Sequence, residues 1–250
     1  MIELKHVFAG YGQKSVLGGV TASFPVGKLT SVIGVNGCGK STLLKTMLGI
    51  LPISDGAVLI DGADIRTMQR NEIAKRIAYL SQGKATPDMT VGQMVLLGRF
   101  PYLSYPRRYR ETDRAAAREA METVGILHLA DQPLSTLSGG MRQIAYIAMA
   151  LAQKTDYILL DEPTTYLDIA HQLELMRLLK RLAEMGKGIV TVMHDLPLAF
   201  DFSDGIAVLQ NGTVAAHTAP SELCDLPLIK DTFGVDVRPE GDTRYRYRYP

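Results

Sequence analysis

Nine residues constrain this chain more than any others: Gly34-Val35-Asn36-Gly37-Cys38-Gly39-Lys40-Ser41-Thr42. They follow an apolar, β-branched run, Leu29 to Ile33. They open a segment, Ser41 to Ile50, in which Leu44, Met47 and Leu48 recur at helical spacing. The order is strand, glycine loop, helix. Three glycines let the backbone curl until successive N–H groups converge on phosphate oxygens. In such a loop Lys40 reaches the terminal phosphates, and the Ser41 hydroxyl can ligate Mg²⁺. The helix N-terminus adds a partial positive charge. A plain glycine-rich turn is the competing reading, and the strand before and helix after the loop set it aside. The chain is expected to bind a nucleoside triphosphate through Gly34 to Thr42.

With 250 residues and 46% hydrophobic content, there is ample material for a core, as one large domain or as a core with an inserted subdomain. A net charge of +1, with no long basic stripe outside the tail, gives no argument for nucleic-acid binding. Cys38, inside the loop, and Cys224, near the end, form no disulfide framework. A thiol in a phosphate loop suits a reducing compartment, so the cytosol is expected. The start, Met1-Ile2-Glu3-Leu4-Lys5, reads as neither signal peptide nor anchor, and no apolar run approaches the ~18 residues of a spanning helix. Membrane association is expected to go through a partner.

Ahead of the loop, Ile2, Leu4 and Phe8 alternate with other residues, and Val20, Ala22 and Phe24 alternate again after a Gly18-Gly19 break, which predicts an antiparallel pair. Tyr11-Gly12 lies between them on a flexible connection; Tyr11 either stacks on a purine or is a surface tyrosine. Pro52 to Gly56 reads as turn chemistry, and Ala57 to Asp61 as a further strand. Ile77 to Leu80 is a short strand ending at Ser81-Gln82, where a glutamine can complete a Mg²⁺ shell or hold the attacking water. From Gly83 to Ala152 helical patterns replace strands, which predicts an inserted helical subdomain over 83–152 within a core of 1–82 and 153–250. His6 and His128 sit in apolar patterns and read as structural histidines.

That subdomain closes with Leu137-Ser138-Gly139-Gly140-Met141 before a strongly helical run. Ser138 with two glycines is either an ordinary N-cap or a second phosphate cradle at a helix N-terminus. One chain with two cradles and one Lys-Ser set is explained economically if the second cradle closes the site of another copy. Tyr157 to Leu160 is an apolar strand that emerges into Asp161, Glu162 and Pro163. An acidic pair at a strand end is either turn chemistry or, after a phosphate loop, Asp161 placed for Mg²⁺ and Glu162, one residue further out, for general base on water. A long helix follows with Ile169, Leu173, Met176 and Leu179 on one face. Ile189 to Met193 is another buried strand, ending at His194-Asp195: a γ-phosphate donor or a helix-capping dipeptide. Asn211-Gly212 predicts a two-residue hairpin turn. The Arg244 to Tyr249 alternation is either a stacking surface for single-stranded nucleic acid or, as we read it, a frayed or edge-strand terminus.

The sequence of P-loop, Gln82, Leu137-Ser138-Gly139-Gly140, Asp161-Glu162-Pro163, Leu167-Asp168 and His194 resembles the nucleotide-binding subunit of ABC transporters over nearly the whole chain. The resemblance implies an α/β fold, a P-loop NTPase (RecA-like) core with an N-terminal antiparallel β subdomain and an inserted helical subdomain. It implies Tyr11 on adenine, Gly34, Val35, Asn36, Gly37, Cys38, Gly39, Lys40, Ser41 and Thr42 on the phosphates of ATP, and Ser41, Gln82 and Asp161 around Mg²⁺. Glu162 would be the catalytic base and His194 the γ-phosphate switch. Ser138, Gly139 and Gly140 would complete a partner's site, and Asp168 would communicate across the dimer. Two departures stand out: Met141, where the family has glutamine, and Tyr166, bulkier than the usual small residue near the dimer seam. Leu97 to Tyr102, and His194-Asp195-Leu196 leading to Ala199, are similar to importers of iron chelates, haem and cobalamin. That implies a homodimer on the cytoplasmic face of the membrane, a multi-helix permease, an extracytoplasmic substrate-binding protein and no nucleic acid. The alternatives are a soluble ABC-type ATPase acting on DNA or the ribosome, which would favour coiled-coil insertions or tandem cassettes, and a P-loop kinase, which would leave Ser138-Gly139-Gly140 without a purpose.

Overall fold

The structure, a computed structural model, describes residues 1–83, 86–240 and 245–248. In chain order the elements are β1 (Ile2–Tyr11), β2 (Lys14–Phe24), β3 (Leu29–Ile33), α1 (Lys40–Met47), β4 (Ile53–Ile60), β5 (Ala63–Asp64), α2 (Arg70–Ala74), β6 (Ile77–Leu80), α3 (Val91–Leu96), α4 (Glu111–Thr123), α5 (Gly139–Ala152), β7 (Tyr157–Asp161), α6 (Ile169–Glu184), β8 (Gly188–Val192), α7 (Leu196–Phe202), β9 (Gly205–Gln210), β10 (Thr213–Thr218), α8 (Pro220–Cys224), α9 (Leu228–Phe233), β11 (Asp236–Pro239) and β12 (Tyr245–Arg248). They group into two compact units, residues 1–68 with 179–250 and residues 69–178; α6 begins in the second and ends in the first.

In the first unit β1 lies between β2 and β4, antiparallel to both. Ile2, Leu4, Val7 and Ala9 are buried, each large one contributing about 1.5–3 kcal/mol of transfer free energy. The sheet departs from the sequence reading at two places. Gly18-Gly19 does not break the strand but lies inside β2, where the register slips between Val7 and Phe8 of β1. Ile53 to Gly56 is not a turn but the first half of β4, with Gly56 at φ +82° beside the slip between Lys5 and Phe8. Bulges and turns ask for the same permissive residues, and only the pairing partner tells them apart. His6 also departs: it has φ +51°, is exposed, and sets its ring edge-on to Phe8. His128 is exposed too, in a short 3₁₀ turn after α4. Neither is a core histidine.

The unit's second sheet runs β10-β9-β3-β8, with β3 parallel to β9 and β8 and β10 antiparallel at the edge. Every residue of β3 and β8 is buried, as continuous β-branched runs require of parallel strands covered on both faces. Asn211 and Gly212, both at positive φ, form the turn between β9 and β10. At the C-terminus β12 pairs antiparallel with β11. Tyr245 and Tyr247 set their rings edge-on to Phe200 of α7, at 5.2 and 6.4 Å, while Arg246 and Arg248 are exposed. The alternation is that of an edge strand with one packed face, and these two rings are committed to α7. Arg244 and Tyr249 lie outside the described residues.

In the second unit β6 and β7 are parallel neighbours, Leu80 opposite Leu160. The apolar faces of α3, α4 and α5 bury Val91, Met94, Ala116, Ala117, Ala120, Ile144 and Ile147. The unit that holds the predicted helices thus also takes in β6 and β7. In α6 the buried stripe is Leu175, Met176, Leu178, Leu179 and Leu182; Ile169, expected on that face, is 75% exposed, because the stripe starts more than a turn later. Among the described residues no helix is long and apolar enough to cross a membrane.

Candidate nucleotide site

In the first unit, β3 delivers the chain to Gly34, and α1 starts at Lys40 after a left-handed Gly39 that provides no side-chain cap. The first turn of α1 carries no acidic side chain, which keeps its positive end suited to an anion. Lys40 folds back over the loop: its ammonium donates to the carbonyls of Gly34 at 2.8 Å and Val35 at 3.1 Å. Gly34 is required by close approach, since a Cβ there would stand 2.3 Å from the Leu209 carbonyl oxygen and 2.6 Å from Cys38 Sγ. Cys38 is buried, and that burial pushes its thiol above the ordinary range. Alkylation of Cys38 is therefore expected to be slow at neutral pH and faster as pH rises, and the adduct should block nucleotide binding by filling the loop. Unchanged ATP affinity after modification confirmed by mass spectrometry would contradict that placement.

Tyr11 differs from its expected setting. It is the last residue of β1, paired with Lys14 across a two-residue turn, so its half-exposed ring stands on a hairpin end and not on a flexible connection. His194 follows β8, the parallel neighbour of β3, and the Met193 N–H donates to the Val32 carbonyl at 3.1 Å. His194 and the phosphate loop therefore leave the sheet at the same carboxyl edge, where α/β sheets bind ligands. The helix cap belongs to the next residue: Asp195 accepts the Leu198 N–H at 2.9 Å. His194 itself is exposed.

In the second unit β6 and β7 end side by side, so Gln82 and Glu162 come off adjacent strands. Gln82 Nε2 donates to Glu162 Oε2 at 2.5 Å, and the Thr165 hydroxyl donates to the same oxygen at 3.3 Å. Tyr79 donates to Asp161 at 3.4 Å. Glu162 takes φ +52°, a conformation that costs a non-glycine residue about 1–3 kcal/mol and is concentrated at functional sites. A cavity of about 330 Å³ opens here, lined by Gln82, Arg142, Tyr146, Glu162, Thr165 and Tyr166 among others. Arg142 and Tyr146 were not singled out in the sequence, although counting four and eight residues on from Ser138 puts them on one face of α5. Arg142 donates to the Thr86 hydroxyl at 2.9 Å, and burial pushes the Tyr146 hydroxyl up.

Ser138 is the N-cap of α5, its hydroxyl accepting the Met141 N–H at 3.2 Å. Gly139 lines the same cavity. Asp168 accepts both the backbone N–H of His171, at 2.9 Å, and its Nδ1–H, at 2.7 Å; these contacts hold the carboxyl below the usual range. Tyr166 has φ +67° and is 94% exposed. Gln82, Asp161, Glu162 and Gly139 thus gather in one unit, and Tyr11, Gly34 to Thr42 and His194 belong to the other.

The family model described as ABC transporter matches residues 17–165. The chain is 44% identical over 228 residues to the ferric enterobactin transport ATP-binding protein FepC of Escherichia coli (strain K12), covering 90% of this chain and 84% of that protein. It is 44% identical over 237 residues to the iron(3+)-hydroxamate import ATP-binding protein FhuC of Bacillus subtilis (strain 168), covering 94% and 88%. Among solved structures it is similar to CbiO1 from Clostridium perfringens, part of the ABC transporter complex CbiONQ. The TM-score is 0.81 at 25% identity, over 93% of this chain and 95% of that one.

Proposed function

Since the chain belongs to the ABC transporter family, we propose that it hydrolyses ATP to drive import of a ferric siderophore through a membrane permease. The cargo rests on one observation: 44% identity, across nine-tenths or more of the chain, to two proteins named for ferric enterobactin and iron(3+)-hydroxamate transport.

In this reading Gly34 to Thr42 hold the phosphates, Lys40 exchanging its contacts with the Gly34 and Val35 carbonyls for phosphate oxygens. Tyr11 presents its ring to adenine. Ser41, Gln82 and Asp161 offer a hydroxyl, an amide oxygen and a carboxylate, an all-oxygen set that suits Mg²⁺; with Nε2 given to Glu162, the Gln82 oxygen faces the other way. The bound ion supplies neutralisation of phosphate charge. Glu162, its Oε2 held by Gln82 and Thr165, takes the proton of the attacking water. His194 donates to a γ-phosphate oxygen.

Ser138, Gly139 and Gly140 close the nucleotide site of a second copy, and Asp168 communicates between the two. Two copies sandwich two ATP molecules on the cytoplasmic face of the membrane, closing to push the permease and reopening after hydrolysis. An extracytoplasmic binding protein delivers the chelate. The packing of Tyr245 and Tyr247 against Phe200 accounts for the Arg/Tyr alternation as an edge strand, which takes away the sequence feature that favoured nucleic acid. The test is co-expression with a multi-helix permease of a ferric siderophore importer. The chain should co-purify with that multi-helix protein, and its ATPase should rise when siderophore-loaded binding protein is added. Recovery with nucleic acid or ribosomes, and no stimulation by the chelate, would reject the assignment.

A further inference from the structure

The second glycine of the Ser138-Gly139-Gly140 turn meets a constraint unrelated to phosphate. A Cβ on Gly140 would stand 2.1 Å from Cδ2 and 2.6 Å from Cγ of His171, so the imidazole fills the space a side chain at 140 would take. The other edge of that ring holds Asp168, through Nδ1 at 2.7 Å, while the His171 backbone N–H donates to the same oxygen at 2.9 Å. Leu167 comes close as well: a Cβ on Gly139 would lie 3.8 Å from its Cδ2. One side chain therefore touches both the first turn of α5 and the Asp168 carboxylate.

The geometry points to His171 as a positioning residue that fixes Asp168 against the Ser138-Gly139-Gly140 turn, so that the two segments move together. The ring is a wedge at the surface, its side chain 34% exposed, and its two contacts have different physics. Toward Gly140 it is steric, and interfaces packed this closely shift between discrete arrangements and do not deform smoothly. Toward Asp168 it is a charge-assisted hydrogen bond, which both the Nδ1–H tautomer and the imidazolium supply. The inference rests on the reading that Asp168 and residues 138–140 face the nucleotide of a second copy. Its consequence is that a displacement felt at Asp168 reaches the other cradle through one imidazole.

The full chain carrying His171→Ala, His171→Asn, Asp168→Ala and the Asp168→Ala/His171→Ala pair tests this. His171→Ala should lower kcat about tenfold, the scale of a single coupling residue, with KM for ATP moving less than about twofold because Gly34 to Thr42 is untouched. His171→Asn, whose Nδ2 takes nearly the place of Nδ1, should recover at least about half the rate. The double variant should be no slower than Asp168→Ala alone. In the nucleotide-free chain, hydrogen exchange at the Met141 and Arg142 amides, both bonded to Ser138, should quicken in His171→Ala and stay as in the wild type in His171→Asn. A normal kcat in His171→Ala, equal losses in Ala and Asn, or losses that multiply in the double variant would overturn the inference. A Glu162→Gln chain that stays single in ATP would sink the paired-site reading and this inference together. Pairing in ATP with His171→Ala turning over normally would sink this inference alone.

Discussion

Glu162→Gln should bind ATP within about twofold of the wild-type affinity and lose at least ~10²-fold in turnover, the lower end of what a general base contributes. The substitution is close to isosteric. Its amide oxygen still accepts from Gln82 Nε2, and the backbone at φ +52° is asked nothing new. What disappears is the basic lone pair that takes the proton of water. Because binding survives while hydrolysis does not, the ATP-bound state should accumulate, and light scattering should report a doubled mass in ATP that reverts when nucleotide is removed. A variant that turns over normally removes Glu162 from the base role. One that loses ATP affinity instead would show that the carboxylate serves ground-state binding.

The sequence made some parts of this site plain and hid others, for separable reasons. β3, β7 and β8 are short apolar runs buried on both faces, and such runs declare themselves locally. The phosphate loop declares itself because Gly34 has no room for a Cβ and Lys40 has to cross the loop, so both identities are fixed by contacts within ten residues or by one neighbouring strand. Gly18-Gly19 and Ile53 to Gly56 misled because a bulge is defined by register against a strand elsewhere in the chain. Ile169 misled because helical periodicity gives the face but not where burial begins. Arg142, Tyr146 and His171 went unnoticed as site residues. Helical spacing from Ser138 gives the shared face of Arg142 and Tyr146, but that this face lines a cavity with the ends of β6 and β7, and that the His171 ring packs against Gly140, are relations between elements that spacing does not encode.

Arg99→Ala should destabilise the helical part of the second unit by about 3–5 kcal/mol. Arg99 lies in a 3₁₀ segment after α3, pairs with Asp113 of α4 at 3.1 Å, and donates to the Ala152 carbonyl at the end of α5 at 2.8 Å. The two side chains are only 10% and 7% exposed, so removing the guanidinium leaves a buried carboxylate and an unpaired helix-terminal carbonyl. The Tyr102 ring, its centroid 3.9 Å from the guanidinium carbon, loses the nearer of its two cations and keeps Lys75 at 5.4 Å. The Arg110 N–H, ahead of Arg99, holds the Asp113 carboxyl below the usual range. A folded-state value lowered in this way contributes stability that is complete above the unfolded carboxyl range and lost as pH falls through the folded one. The gap between wild type and Arg99→Ala in urea should therefore be widest near neutrality and narrow as pH falls, because losing the guanidinium raises the Asp113 carboxyl in the variant and protonation then relieves the stranded charge. Arg99→Met combined with Asp113→Leu should recover most of the loss, since an apolar pair leaves no charge buried. A gap that persists unchanged at low pH, or a double variant as unstable as Arg99→Ala, would mean that the guanidinium acts by packing against Tyr102 and not by neutralising Asp113.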